Sequence, residues 1–389
     1  MASPRALHFL GTMPQFDDAT AALKWQLTDL DGRLRRLTSG ETGPRLLWFV
    51  PFIKELKASP KIRALRDGDW TDYDDVDRLA VRRGARLTPA DLPLRIAEYA
   101  RQDLAALADA DPCALADANS RPLTGTDPGP LTDADPGTLA EADPGPLAEA
   151  DPGALGDADH RARLRLQIGV PGYLDMALFI FGPLGVLRHA RTFLAAIAEQ
   201  ITEIQREAGE RVVFQLEVPA ALIAVVSAPP PLRPLLAEFM AHLVTRPVAR
   251  APQGTRFGVH LCLGDLGHHA LKQLKDASPL VILANAIARR WPEGRPLDYV
   301  HLPMSGGDVP PATEPGFYAP LRRLRLPDGV DLIVGIAHEE QDPAAQLAVR
   351  QLVEDALGRP VDIATSCGLG RRTPEAATAA VTSMRALLD

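Results

Sequence analysis

Two side chains suited to a soft metal stand two residues apart in Gly258-Val-His260-Leu-Cys262-Leu-Gly264-Asp265. A third, Cys367, lies in Ala364-Thr-Ser-Cys367-Gly-Leu-Gly370. On a strand, residues i and i+2 point to the same face, so His260 and Cys262 can reach one point together. Imidazole and thiolate are the donor types that zinc prefers. The plainer alternative is a core histidine with a satisfied ring and a buried cysteine acting as a small hydrophobe. The chain has three cysteines, Cys113, Cys262 and Cys367. That number is odd and too small for a disulfide framework, which fits a reducing compartment and leaves the thiols free to ionise.

The elements that must position these groups follow from periodicity. Apolar alternation over Ala6–Leu10, a turn at Thr12-Met-Pro14-Gln15 and a helical pattern from Asp17 to about Leu37 predict a strand followed by a helix. Leu46–Val50 reads as a second strand, and residues 74 to 107 as mostly helical with loops. After His160 the pattern becomes regular. Strands are expected at Leu164–Gly169, Val212–Val218, Phe257–Leu263, Tyr299–Pro303, Leu332–Ala337 and Val361–Ser366. Helical stretches are expected near 187 to 207, 231 to 245, 267 to 290, 316 to 323, 343 to 357 and 374 to 387. Eight strand-helix units with continuous apolar strands predict an α/β fold, a single (β/α)8 TIM barrel over residues 1 to 389.

Between its second and third units the chain changes character. Asp127-Pro-Gly-Pro-Leu-Thr-Asp-Ala134 begins an octapeptide that recurs to Ala158, and residues 109 to 159 carry twelve acidic side chains against one Arg121. One leucine per repeat buries too little to offset chain entropy, and Pro-Gly breaks both helix and strand. We expect a disordered acidic insertion over 109 to 160. A calcium-binding repeat is the sharper reading, but the dense glycine-aspartate spacing of a β-roll is missing. This segment accounts for the formal charge of -8. No basic stripe interleaved with aromatics supports nucleic-acid binding, and no apolar run approaches the ~18 residues of a membrane span. A cytoplasmic, soluble protein is expected.

In such a barrel, chemistry sits at the carboxyl ends of the strands. Thr12, Glu41, Arg45, Glu217, His260, Cys262, His301, His338, Glu340 and Cys367 all fall near those ends in the expected layout. Strands five and eight would carry Cys262 and Cys367 towards one central zinc ion, leaving it an open position. A thiol bound there ionises yet remains a nucleophile, whereas bound water would give hydrolysis. Two thiolate ligands lower the metal's Lewis acidity and favour thiol alkylation. The expected partners are a small-molecule thiol and an alkyl donor that the sequence does not identify. Alternatives are a zinc lyase or hydrolase acting on a carbon-sulfur or other polar bond, and a non-catalytic ligand-binding barrel.

His260-Leu-Cys262 and Cys367-Gly-Leu369 resemble the metal signature in the C-terminal catalytic barrel of cobalamin-independent methionine synthases. Gly11-Thr12-Met-Pro14-Gln is similar to that family's first-strand turn, and Gln215-Leu-Glu217-Val-Pro219-Ala to its acidic segment before Pro-Ala. The resemblance runs from about residue 6 to 389 outside the acidic repeats. It implies zinc on His260, Cys262 and Cys367, substrate contacts at Gly11 and Thr12, and Glu217 holding a substrate amino group. The family's zinc-binding glutamate falls near Ala284 or Asn285, or near Pro303, and none of these is a good ligand; His301 is the candidate replacement. A single barrel, without the N-terminal barrel of the long methionine synthases, is more similar to the thiol alkyltransferases of the same superfamily.

Other residues carry competing readings. Glu41 with Arg45 could clamp an α-amino acid, or form a turn with a surface ion pair. His338 with Glu340 could be a general acid and its orienter, or an exposed strand end. Gly368-Leu-Gly370-Arg371-Arg372 is read as an ordinary strand-to-helix turn rather than an anion site. His189, His268 and His269 are read as solvated.

Overall fold

A computed structural model describes residues 4 to 111 and 164 to 389. Seven strands form one curled, all-parallel sheet in the order β1 (Arg36–Thr38), β4 (Arg165–Val170), β5 (Val212–Glu217), β6 (Phe257–His260), β7 (Leu297–Pro303), β8 (Asp331–Ala337) and β9 (Asp362–Thr365). The remaining two, β2 (Ile62–Arg66) and β3 (Arg78–Val81), make a separate antiparallel hairpin. Every residue of β6, β7 and β9 is buried. Burial on both faces is what their unbroken apolar runs require. Long helices such as Pro183–Ala208, Arg233–Arg250 and Pro343–Leu357 connect successive strands.

The two edges of the sheet meet on the N-terminal segment. Leu7 makes parallel bridges to Leu34 and to Ile363, with Leu7 N donating to Arg33 O (2.8 Å) and His8 N to Ile363 O (2.9 Å). The strand expected over Ala6–Leu10 is thus shortened to a bridge, but it sits where that strand belongs. The whole is an α/β fold consistent with a TIM-like barrel.

Period-two alternation sends Gln167, Gln215, Gly258, Tyr299 and His301 to the inner face. The Tyr299 hydroxyl donates to Gln167 Oε1 (2.8 Å) or Gln215 Oε1 (3.0 Å), so the fully buried ring has its polar atom satisfied. A Cβ on Gly258 would lie 2.0 Å from the Tyr299 ring; glycine is what lets that ring occupy the centre.

Several expectations need correction. Leu46–Val50 is not a strand: it runs from a 3-10 turn (Gly43–Leu47) into the helix Phe49–Ala58. The buried face of that helix is Phe52, Ile53 and Leu56, while Leu47 is exposed and Leu46, Trp48, Phe49 and Val50 are half-buried, and Pro51 is tolerated in the first turn. The second strand of the ring is β1, because the helix expected to reach Leu37 stops at Asp29 and the chain turns at Gly32 (φ +70°). Glu41 and Arg45 therefore follow that strand instead of preceding it. Residues 74 to 107 contain β3 as well as part of the helix Ile96–Ala110. Of the insertion expected over 109 to 160, residues 109 and 110 close that helix, and 112 to 160 lie outside the described residues. The strand expected to reach Leu263 stops at His260, leaving Cys262 in the following loop.

Candidate metal centre

His260 ends β6, and the chain stays extended for one further pairing, Leu261 N to His301 O (3.2 Å). That keeps Cys262 on the same face. The loop then turns at Gly264 (φ +83°), whose N–H donates to Cys262 Sγ (3.2 Å). A Cβ there would lie 2.3 Å from the Tyr73 hydroxyl, which accepts from Leu266 N (3.0 Å). Cys367 follows β9 on a turn pinned by Thr12, whose carbonyl accepts from Leu369 N (3.0 Å) and whose hydroxyl accepts from Gly370 N (2.9 Å). Thr12, expected at the substrate, lines the cavity but also docks the Cys367 turn.

The three donors converge. Cys262 Sγ and Cys367 Sγ are 3.8 Å apart, Cys367 Sγ is 3.9 Å from His260 Nε2, and all three atoms lie within 4.8 Å of one another. Tetrahedral zinc with Zn–S bonds of about 2.3 Å places two sulfurs about 3.8 Å apart. The residues fit the metal. They share the binding chemistry unequally: the Cys367 thiol beside it, with His260 and the Gly264 N–H, holds Cys262 down at about 5, although burial opposes. Cys367 is pushed up by its hydrogen bond with the Cys262 sulfur and by burial.

His301 stands behind His260. Its Nδ1 is 2.8 Å from His260 Nδ1 and its Nε2 is 3.1 Å from Thr365 O. A carbonyl can only accept, so His301 Nε2 carries the proton and Nδ1 is left as the acceptor. Burial, then His260 and His8, hold His301 well below the usual histidine range, which keeps it neutral. His260 must then donate from Nδ1 and present a bare Nε2 towards the sulfurs. Both His301 nitrogens are thus engaged by His260 and Thr365, which places His301 as the orienting partner of His260; as the replacement ligand expected from sequence it has no nitrogen turned to the sulfurs. Asn285 is turned outward on the helix Ser278–Arg289, bonded to Arg323 O and Arg325 N.

A cavity of about 210 Å³ opens beside the cluster. Trp48, Phe49, Trp70 and Phe179 contribute an aromatic wall, and Glu41, Asp175 and Glu217 line it as well. Glu41 takes a left-handed backbone (φ +42°) next to Gly40 (φ +76°), a conformation that costs a non-glycine residue of order 1–3 kcal/mol. Room for its carboxylate comes from glycine: a Cβ on Gly169 would lie 2.9 Å from Glu41 Oε1 and 3.8 Å from Glu217 Oε1, and one on Gly11 would lie 3.2 Å from Glu41 Oε2. Gly11, expected at the substrate, is therefore spacing for Glu41. Burial pushes Glu41 up to about 7, with Asp103 adding to the rise and Arg45 opposing it. Burial likewise raises Glu217, helped by Glu41 and Cys262. Asp175 rises to about 7 through burial, although it accepts from Ala220 N (2.6 Å).

Not every expected residue joins this group. Arg45 forms a two-point pair with Asp103, one arm at 2.9 Å, and lies over the Tyr99 ring at 4.7 Å. The clamp expected of Glu41 and Arg45 is therefore divided: Glu41 faces the cavity while Arg45 is neutralised. His338 and Glu340 do not line the cavity. His338 is buried with Nδ1 accepting from Glu340 N (3.1 Å), and the Glu340 side chain is exposed, so the pair forms a local loop contact. Asp175 and Tyr73 escaped sequence reasoning. Asp175 had a usable signal, being the one charge within the apolar helix Tyr173–Phe181; Tyr73 had none.

No family model matches the chain, and no curated protein sequence does. Solved structures do: the chain superposes on a B12-independent methionine synthase from Shewanella sp. W3-18-1, solved in complex with selenomethionine, with a TM-score of 0.54 at 10% identity, over 99% of this chain and 97% of that one. A putative vitamin-B12 independent methionine synthase from Listeria monocytogenes gives a TM-score of 0.48 at 12% identity, over 100% and 98% of the two chains. At this identity the likeness is one of fold, a distant relationship to methionine synthase-type proteins.

Proposed function

We propose that this protein is a zinc-dependent transferase that activates a small thiol and alkylates it, on a complete (β/α)8 barrel with the acidic repeats inserted after its second unit. The observation that carries the reading is the 3.8 Å pair of thiols with a bare imidazole nitrogen beside it. Held by His260, Cys262 and Cys367, zinc would supply an open coordination position at which a thiol gives up its proton at neutral pH. The chain's own residues do the rest. His301 fixes the tautomer of His260, the Thr12 contacts hold the Cys367 turn, and the aromatic wall limits water around the reacting sulfur. Glu217 and Glu41 offer carboxylates to a substrate ammonium group. The Shewanella protein's complex with selenomethionine, an alkylated selenium amino acid, fits a pocket of this type.

Metal analysis and cobalt substitution test the reading. One zinc per chain is expected, and a thiol added to the cobalt form should produce a new thiolate-to-metal absorption band. A protein that binds no metal, or whose cobalt spectrum ignores thiols, would sink it. A lyase on the same site would release a thiol from a thioether with no acceptor present.

A further inference from the structure

His260 and Cys367 are tied to each other behind the cluster as well as across it. His260 Nδ1 is 2.8 Å from His301 Nδ1, and His301 Nε2 is 3.1 Å from the Thr365 carbonyl oxygen. The Thr365 hydroxyl donates to the Cys367 carbonyl oxygen at 2.6 Å, and Cys367 Sγ returns to within 3.9 Å of His260 Nε2. The four residues close a ring. His260, His301 and Thr365 are buried, so breaking one of these bonds strands a polar group away from water. The backbone is shaped to let the ring close. The pairing of β8 with β9 shifts register between Gly335 and Ala337, opposite Ala364 and Thr365, an irregularity of the kind that re-aims a strand end. A Cβ on Gly335 would lie 2.7 Å from Thr365 O and 3.0 Å from His301 Nε2, so a side chain there would wedge into the bond between them. Ser366 holds the same turn from its other side, its hydroxyl donating to Gly335 O (3.1 Å).

We propose that Thr365 is a positioning residue that couples the imidazole half of the metal centre to its Cys367 half. Thr365 works in two directions. Its carbonyl fixes the His301 proton on Nε2, and through His301 the orientation of the His260 ring. Its hydroxyl fixes the Cys367 carbonyl, and with it the start of the turn that carries the thiol. Any residue would supply the carbonyl, but only a hydroxyl side chain joins it to Cys367. His260 and Cys367 are therefore set as a unit, whereas Cys262 is held separately by the Gly264 N–H. The inference rests on the zinc reading above.

The test uses the full chain and two readouts independent of turnover: zinc affinity by chelator competition, and the ligand-field bands of the cobalt form, which report the geometry around the metal. Thr365→Val keeps the shape and the carbonyl and loses only the hydroxyl. It is expected to weaken zinc binding about tenfold and to shift the cobalt bands, and Thr365→Ser to restore both. Thr365→Ser against Thr365→Ala, which differ from each other only by the hydroxyl, makes the same comparison should valine prevent folding. The double variant Thr365→Val with His301→Leu should bind zinc about as weakly as His301→Leu alone, because either change opens the same ring. Losses that multiply would show two independent contacts and overturn the coupling. Wild-type affinity and bands in Thr365→Val, with or without a loss of folding stability, would leave Thr365 as packing and overturn the inference while the zinc reading stands. A wild-type chain that takes up neither zinc nor cobalt overturns both.

Discussion

The two ends of the parallel sheet handle charge in opposite ways. At the amino end, Arg36 on β1, Arg165 on β4, Asp298 on β7, Asp331 on β8 and Asp362 on β9 lie at or beside the strand starts, and the acids are matched. Asp362 takes Arg35 Nε at 2.7 Å and Ala6 N at 2.9 Å, Asp331 takes Arg36 at 2.7 Å, and Asp298 takes Arg256 at 2.8 and 3.0 Å. At the carboxyl end, Glu41, Asp175 and Glu217 crowd around a cavity with no such matching. One end spends its charges on holding the ring together; the other keeps them available. Buried acids without counter-charges lower stability, and their presence at the carboxyl end is what the proposed binding role would require.

This contrast predicts a separation of effects. The largest belongs to the carboxyl end: Cys262→Ser or Cys367→Ser should weaken zinc binding by more than about 100-fold in a chelator competition, since each removes one of the three proposed ligands. Midpoints of urea unfolding for the metal-free protein should move little. A variant that keeps its zinc would remove the thiols from the metal site. Next comes the amino end, where Asp362→Ala leaves Ala6 N and Arg35 without their acceptor and should cost about 3 kcal/mol of folding stability. Its zinc affinity should be unchanged; a joint loss of both would erase the distinction between the two ends. His301→Leu should weaken zinc binding about 10- to 100-fold, and His301→Asn, which can still accept from His260, should restore part of it. Equal behaviour of the two variants would assign His301 to packing alone.

The same contrast extends to a pH dependence. The carboxyl groups of Glu41 and Asp175 ionise near 7 in the folded protein against 4.5 and 3.8 ordinarily, so between those values the folded state holds more protons than the unfolded one. Their contribution to stability is complete below about pH 4 and is lost as the pH rises to about 7. Unfolding of the metal-free protein followed from pH 4 to 8 should show this decline, and Glu41→Gln should flatten it. At the amino end burial also raises Asp362 in spite of its Arg35 partner, so the Glu41→Gln comparison separates the two ends; an unchanged slope in that variant would mean that the carboxyl end is not its source.

What was legible in the sequence was what repeats along it. The strands from β4 onward announce themselves because burial on both faces demands unbroken apolar runs, and the His260, Cys262 and Cys367 set follows from residue type and strand period. What was not legible depends on partners far away in sequence. Leu46–Val50 has the composition of a buried strand, and only its packing through Phe52, Ile53 and Leu56 makes it a helix. Arg45 looks free until Asp103, 58 positions on, is seen to hold it. The strand position of His301 marks it out, yet its role turns on which nitrogen meets Thr365, which no spacing encodes.

The segment that joins the two sheet edges has a consequence for biosynthesis. Ala6 and Asp362 are 356 positions apart, and Cys262 and Cys367 are 105 apart. Contacts this distant are slow to form, because the loops they close cost entropy before any contact rewards it. On the ribosome, Leu7 can pair with Leu34 early, but its bridge to Ile363 must wait until β9 has been made, and until then His260 and Cys262 stand without Cys367. On the reading proposed above, metal loading would follow ring closure, and a chain holding zinc on all three residues would be one whose last strand is in place.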